Sequence, residues 1–521
     1  MIIFILIILY LISRLINLTA LPVFADEAIY IRWAQLIFDN WERAFIPMMD
    51  GKPPLFMWLI MEILRIVKDP LMAGRLLSVI LGLLTLVFIY LLTKNFFNKK
   101  TALLATFFYL TSPFFFIYNR MALIEGLLAF TLCLQIYFLS LYFKTKKKYF
   151  ILLSGLSWGL SMLSKTSAFF FFPLYLPLGF YLSKEIDLSK KNKFIKKRWW
   201  RLRIYFSNLL KNKEILFYIF FAGVLGCLFF LSITRRSHFF PALFRRSRDF
   251  SFTIEEFLQG QYKSVGERLL MVLKWLFYYN SPLVFASFLG SFYFLFKNKN
   301  KREKKVIFLF WFFIMIFLLP LVFMGKILSP RYFLPLSPLV LILASLVITR
   351  IKSKTGHSNW FKRIRVLIIS STLGFNLYFI GLSLLDADKT PFLQVDKTYY
   401  LQEWSSGHGI KEAFDYLNKI AEKENIFVAA EGYFGTLPDG FVIYKDAYGI
   451  TSMEVEGIGP YVKSVSDLLK EKAKEKRTFI LGNSHRFIFS QEEPLNLLKT
   501  YYRPAGGPQL LLYEVLNVEK D

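Results

Sequence analysis

Five short stretches hold ionisable side chains at places where an otherwise apolar chain has little reason to keep them. Phe24-Ala-Asp-Glu-Ala-Ile-Tyr30 sets two carboxylates, Asp26 and Glu27, side by side directly after the first apolar run. Acids in the first turn of a helix favour its dipole, and that alone accounts for the pair. The chemical reading makes one of them a base acting on a substrate at the membrane surface. Asp50-Gly-Lys52-Pro53-Pro54 places a cation before two prolines, whose fixed φ holds the chain extended and aims the lysine. Asn119-Arg120-Met-Ala-Leu-Ile-Glu125 puts a cation and a carboxylate in a short turn at the membrane edge. Lys165 in Leu163-Ser-Lys-Thr-Ser167 and Arg331 in Ser329-Pro-Arg-Tyr-Phe-Leu-Pro335 complete the set. Ionisable groups in such surroundings are costly, which makes them candidates for function.

These residues are spaced by long apolar runs. The 521 residues are 55% hydrophobic, with 59 Phe and a formal charge of +28, and the mean hydropathy is +0.43, which excludes an ordinary soluble domain. Runs near 1–18, 71–93, 101–117, 121–142, 149–164, 167–182, 214–233, 270–296, 306–324, 332–349 and 366–385 predict a polytopic α-helical membrane protein of about eleven spans. The first run lacks a basic n-region and a clear cleavage site, and is expected to be a retained helix. With a cytoplasmic N-terminus, the inward loops carry 30 Lys and Arg against 16 outside, so much of the positive charge is a topology signal. All five stretches then face outward. The outer loop 19–70 holds Leu55 to Val67, too short to cross and amphipathic enough to lie along the interface, with Glu62 and Arg65 toward water. The basic run Lys190 to Arg203 reads as an anionic-lipid contact rather than a nucleic-acid site.

From about 386 the apolar runs stop. A helix near 409–424, strands at Ile426–Ala430, Phe441–Tyr444 and Thr478–Leu481, a helix near 462–476 and a last strand near 509–515 predict a small extracytoplasmic α/β domain. The expected division is 1–385 in the membrane and 386–521 outside. Cys133 and Cys227 lie within apolar runs and supply no disulfide framework. The four histidines show no metal-ligand spacing.

On Asp26-Glu27 with Tyr30, Lys52-Pro-Pro54, Arg120 with Glu125, Lys165, and Arg331-Tyr332-x-Leu-Pro335, the sequence resembles the GT-C type glycosyltransferases that use polyprenyl-phosphate sugars. Within these it is most similar to the protein mannosyltransferase and lipid A aminoarabinose transferase group. Each motif is short; their order, spacing and common face carry the resemblance over residues 1–385. It implies an inverting transfer of a hexosyl or pentosyl group from a lipid-linked monophosphate sugar to an acceptor at the outer face, with Asp26 as base; the expected location is a plasma membrane, with the endoplasmic reticulum as the alternative. Glu125 stands where the family usually has aspartate. Ile29 stands where some relatives carry an arginine, so a phosphate contact from that spot must come from elsewhere.

The residues suit that chemistry. An acceptor hydroxyl attacking an anomeric carbon must lose its proton, which a carboxylate within reach can take. A leaving lipid phosphate gains charge that fixed cations stabilise. Lys52, Arg120, Lys165 and Arg331 are the candidate phosphate ligands, with Arg331 nearest because a guanidinium can bind phosphate bidentately. Tyr30 and Tyr332 are candidate positioning residues. Arg235, Arg236, Arg245, Arg246 and Arg248 go against the inward bias of the other basic residues. Donor or acidic-acceptor contact and plain lipid-headgroup contact account for them equally. No cofactor is required, since lysines and arginines can neutralise the phosphate, although a divalent ion held by Asp26, Glu27 or Glu125 stays open. The expected partners are a polyprenyl-phosphate sugar, a protein, lipid or glycan acceptor, and membrane lipids. Two other classes fit a polytopic chain: a flippase or transporter of lipid-linked sugars, and a non-catalytic envelope-assembly protein. Transporters more often show repeated halves and charges at the midplane, whereas these charges gather at one face.

Overall fold

The computed structural model describes residues 1–175, 213–298, 300–351, 358–489 and 493–517. Lys190 to Arg203, with its expected lipid contact, lies outside them. The membrane region runs through α1 (Ile2–Leu15), α2 (Ala25–Asp39), α3 (Leu55–Leu64), α4 (Pro70–Phe96), α5 (Lys99–Thr111), α6 (Pro113–Tyr118), α7 (Ile124–Thr145) and α8 (Tyr149–Ser164). It continues through α9 (Lys213–Thr234), α10 (Val265–Tyr279), α11 (Pro282–Lys297), α12 (Lys301–Met324), α13 (Ser337–Arg350) and α14 (Ser358–Leu385). Among the described residues six helices are long and apolar enough to cross a bilayer, or seven if the bent pair on either side of Asn280 is one span. Runs 1–18 and 149–164 hold shorter apolar helices, and run 167–182 begins as the 3-10 turns of Thr166–Tyr175.

Local chemistry sets these boundaries. Asp69 caps α4 by accepting from Met72 N at 2.7 Å, with Pro70 in the first turn, and Asn98 caps α5 through Thr101 N. The run at 270–296, expected as one span, is bent by 117° between its two helices. Pro282 restarts the helix and Ser281 sits at a φ of 70°. The Ser112 hydroxyl donates to the Tyr279 carbonyl at the break, and the Ser281 hydroxyl donates to Asn376, which donates in turn to Thr111, tying the bend to α5 and α14. Gly155 and Gly159 of α8 meet Gly226 and Ala222 of α9 backbone to backbone, the small-residue packing that lets membrane helices approach closely.

The C-terminal part holds a five-stranded sheet, order β2-β1-β3-β5-β4, with β1 (Ile426–Ala430), β2 (Met453–Gly457), β3 (Arg477–Asn483), β4 (Leu495–Tyr501) and β5 (Leu510–Val515). β1 is parallel to β2 and β3, and β5 is antiparallel to β3 and β4. Helices α15 (Ile410–Ala421), α16 (Asp439–Tyr448) and α17 (Asp467–Glu475) cover it. The expected strand at Phe441–Tyr444 is therefore a helix. Gly449, left-handed at φ 68°, ends it, and Phe441, Ile443 and Tyr444 are all buried because α16 is packed between α15 and α2. An apolar run buried on several sides looks alike in helix and strand. β2 sets the exposed acids Glu454 and Glu456 between less exposed residues, and β4 has no fully buried residue, so neither reads as an apolar strand in the sequence.

Candidate active site

Asp26 lies in the first turn of α2. That turn is held from the other end of the chain: Ala25 N donates to Ser405 O at 3.0 Å, and Gly407 N donates to Val23 O at 2.8 Å. Arg331, in the 3-10 turns Pro330–Leu336, donates from Nη2 to Asp26 Oδ2 at 2.7 Å. Its guanidinium stacks on Phe24 at 5.1 Å and on Tyr332 at 5.4 Å. Among the described residues its buried Nε and Nη1 have no partner. Two unused donors on a permanently charged group are costly to bury, and their geometry can take an anion with paired acceptor oxygens.

Tyr30, one turn along α2, reaches Asp26 Oδ2 at 3.4 Å. Lys165 follows the end of α8, donates to Glu125 Oε1 at 2.6 Å and sits over the Tyr332 ring at 4.2 Å. Glu125, in the first turn of α7, has its Oε2 buried, with no hydrogen-bond partner among the described residues. Lys52 pairs with Asp50 at 3.5 Å and lies over Phe250 at 4.7 Å. Burial pushes the Asp26 carboxyl up, but Arg331, Lys52 and Lys165 together outweigh it and hold it below its ordinary value of 3.8. Burial, then the charges of Asp26 and Glu125, keeps the Tyr30 phenol protonated. Asp26, Tyr30, Lys52, Glu125, Lys165, Arg331 and Tyr332 are thus one cluster on the face that carries the sheet.

Two expected site residues are committed elsewhere. Glu27 is fully buried and accepts from Arg75 Nε and Nη2 at 2.9 and 2.7 Å, from Ala122 N at 2.7 Å and from Phe24 N at 3.0 Å. Its lone pairs are filled, which corrects its placement among the reacting groups or as a holder of an ion beside Asp26. Arg120 donates to the carbonyls of Ser13, Arg14, Ile16 and Asn17, and so caps the end of α1 rather than facing Asp26. Of the loop arginines, Arg246 bonds Asp50 at 2.5 Å and Asp249 at 2.7 Å, beside Lys52. Arg235, Arg236, Arg245 and Arg248 are exposed. Among the described residues no three His, Cys, Asp or Glu side chains converge as a metal site would need.

Sequence reasoning missed two participants. Arg75, a cation inside an apolar run, could have been found by that signal alone. Asp396 could not, since it lies in an unpatterned stretch after the last span. It is buried, with Oδ2 accepting from Tyr118 and Tyr279, and it fixes the 386–408 segment onto the membrane helices next to Tyr400 and Arg331.

The chain superposes along its full length on a solved structure of ArnT from Cupriavidus metallidurans bound to undecaprenyl phosphate, covering 98% of it with a TM-score of 0.58 at 12% identity. The chain has the fold of the GT-C glycosyltransferases. A second structure of that protein, in the apo state, gives a TM-score of 0.56 at 12% identity, over 99% of this chain and 97% of that one. The oligosaccharyltransferase of Archaeoglobus fulgidus gives 0.53 at 13%, over 93% of this chain and 68% of that one. Residues 51–207 match the family model of dolichyl-phosphate-mannose-protein mannosyltransferase, a stretch that takes in Lys52, Glu125 and Lys165. No curated protein matches the chain by sequence. The superposition on ArnT takes in both the helical membrane region and the terminal sheet, whereas the sequence resemblance was carried by residues 1–385 alone.

Proposed function

We propose that the protein transfers a sugar, with inversion, from a polyprenyl-phosphate donor to an acceptor, with Asp26 as the base. The observation that carries this is the buried Arg331 guanidinium, paired to Asp26 through one nitrogen and unpartnered at Nε and Nη1. A donor phosphate takes those free hydrogens, with Lys165 and Lys52 neutralising its remaining charge. Glu125 holds Lys165 in place, and Tyr332 lies under both cations. The acceptor hydroxyl attacks the anomeric carbon opposite the phosphate. The new C–O bond forms, the bond to the phosphate oxygen breaks with its electron pair leaving on the lipid phosphate, and the hydroxyl proton passes to Asp26. Among the described residues Asp26 Oδ1 makes no hydrogen bond, which leaves it open to the acceptor.

The pairing also times the base. While Arg331 rests on Asp26 the carboxylate is a weak base; as the guanidinium turns to the phosphate, that restraint lessens and basicity rises where it is needed. In this reading residues 1–385 carry transfer, the N-terminus is cytoplasmic, and residues 386–521 stand outside a plasma membrane. The ArnT structure with undecaprenyl phosphate supports a lipid-phosphate donor here. The test of inversion is NMR of the transferred sugar: the anomeric configuration should be opposite to that of the donor, and retention contradicts a single displacement based on Asp26.

A further inference from the structure

The three parallel strands β2, β1 and β3 end at one edge of the sheet, and the loops that follow them carry aromatic rings into solvent. Tyr433 is 72% exposed, Phe434 63% and Tyr461 61%. Trp404, half-exposed, joins them from the segment that leads up to Ser405. Trp404 and Tyr461 share one cation. Arg486 lies 4.6 Å from the Trp404 ring and 6.0 Å from Tyr461, and Glu431 Oε1 accepts from it at 2.5 Å. Gly432 N bonds Gly459 O at 2.7 Å, and both glycines have positive φ, which draws the loops of Tyr433 and Tyr461 together. Asn483, at the end of β3, uses its amide N–H on Glu431, and its buried Oδ1 has no partner among the described residues.

The edge outside the carboxyl ends of strands is where open α/β sheets bind ligands. Such exposed aromatic surface is costly unless something covers it. The chemistry narrows what that is. Arg486 is neutralised by Glu431, so the patch does not select for charge. Flat rings interleaved with planar polar groups match a neutral polyhydroxyl ring, whose C–H face stacks and whose hydroxyls bond outward. The position adds a reason: Trp404 is one residue from Ser405, whose carbonyl accepts from Ala25, the neighbour of Asp26. The backbone path between Trp404 and Asp26 is at most roughly 13 Å.

We infer that this edge is a saccharide-binding surface that holds the glycan part of the acceptor and feeds its hydroxyl to Asp26. The inference rests on the transfer reading for its purpose, but binding is measurable without transfer. Full-length Asp26→Asn protein in lipid nanodiscs is mixed with neutral oligosaccharides released from the cell envelope by mild acid, and saturation-transfer difference NMR is recorded. Saturation should pass to sugar ring protons, and Tyr433→Ala with Phe434→Ala, which removes two ring contacts, should cut it about tenfold. These two side chains are too exposed for their loss to unfold the domain, and Trp404→Phe should retain the signal. Absence of saturation transfer, or equal transfer in the double variant, overturns the inference, as does a patch that captures only protein. In the active enzyme the double variant should raise acceptor KM about tenfold with donor KM unchanged; a rise in donor KM of the same size counts against it. Failure of the transfer reading would show separately, as absent lipid-phosphate release with saccharide binding intact.

Discussion

Asp26 and Glu27 are adjacent in sequence and opposite in role, because successive helical residues point about 100° apart. Asp26 meets Arg331 at the half-open site; Glu27 turns inward to Arg75, where both side chains are fully buried. Removing one partner of a buried pair strands the other charge, so Glu27→Ala should lower stability by about 3–5 kcal/mol, seen as a large fall in thermal unfolding temperature. Unchanged stability with lost activity would return Glu27 to the chemistry. Arg331 carries a pH prediction. Its pairing depresses Asp26, so the carboxylate adds stability and reactivity above the ordinary range, lost as pH falls through the lowered value. Arg331→Gln should move the acid limb of kcat/KM upward and raise donor KM, and an acid limb that stays put would contradict the pairing's role. The sequence exposed Asp26, Lys52, Lys165 and Arg331 because charges stand out in apolar runs. It could not separate Asp26 from Glu27, nor see that Arg120 caps α1, since both depend on where distant backbone passes.

At the scale of elements, apolar runs read well where a helix faces lipid and poorly where a run is buried on several sides, as at α16, or broken, as between α10 and α11. The 386–408 segment had no pattern to read, yet it links the sheet to the site. Its anchor is Asp396, whose carboxyl burial pushes up to about 7 against the hydrogen bonds from Tyr279 and Tyr118. A raised acid contributes stability that is complete below its unfolded value near 3.8 and is lost as pH rises through about 7. Thermal stability should therefore fall across that window by an amount on the order of a few kcal/mol, and Asp396→Asn should flatten the dependence. A wild-type profile as flat as that of the variant would remove Asp396 as an anchor that titrates.

For the molecule as a whole, the proposed orientation, N-terminus inside with the sheet domain and Asp26 cluster outside, rests on the uneven spread of Lys and Arg among the loops. Cys133 is buried and Cys227 is partly buried in α9, so background labelling of thiols is low. A cysteine placed in the exposed loop at Tyr433 should react in intact cells with a membrane-impermeant maleimide, while one at Ile2 should react only after lysis. The reverse pattern would invert the topology and put the site on the nucleotide-sugar side of the membrane. The most direct test of the central claim is release of free polyprenyl phosphate from a panel of polyprenyl-phosphate sugars, by purified protein in lipid nanodiscs with envelope extract as acceptor. Wild type should release it from at least one donor, and Asp26→Asn should bind that donor and release it at least ~100-fold more slowly. Equal release by the two proteins, or consumption of no donor by a folded wild type that binds the lipid, would contradict Asp26 as the base of a glycosyl transfer.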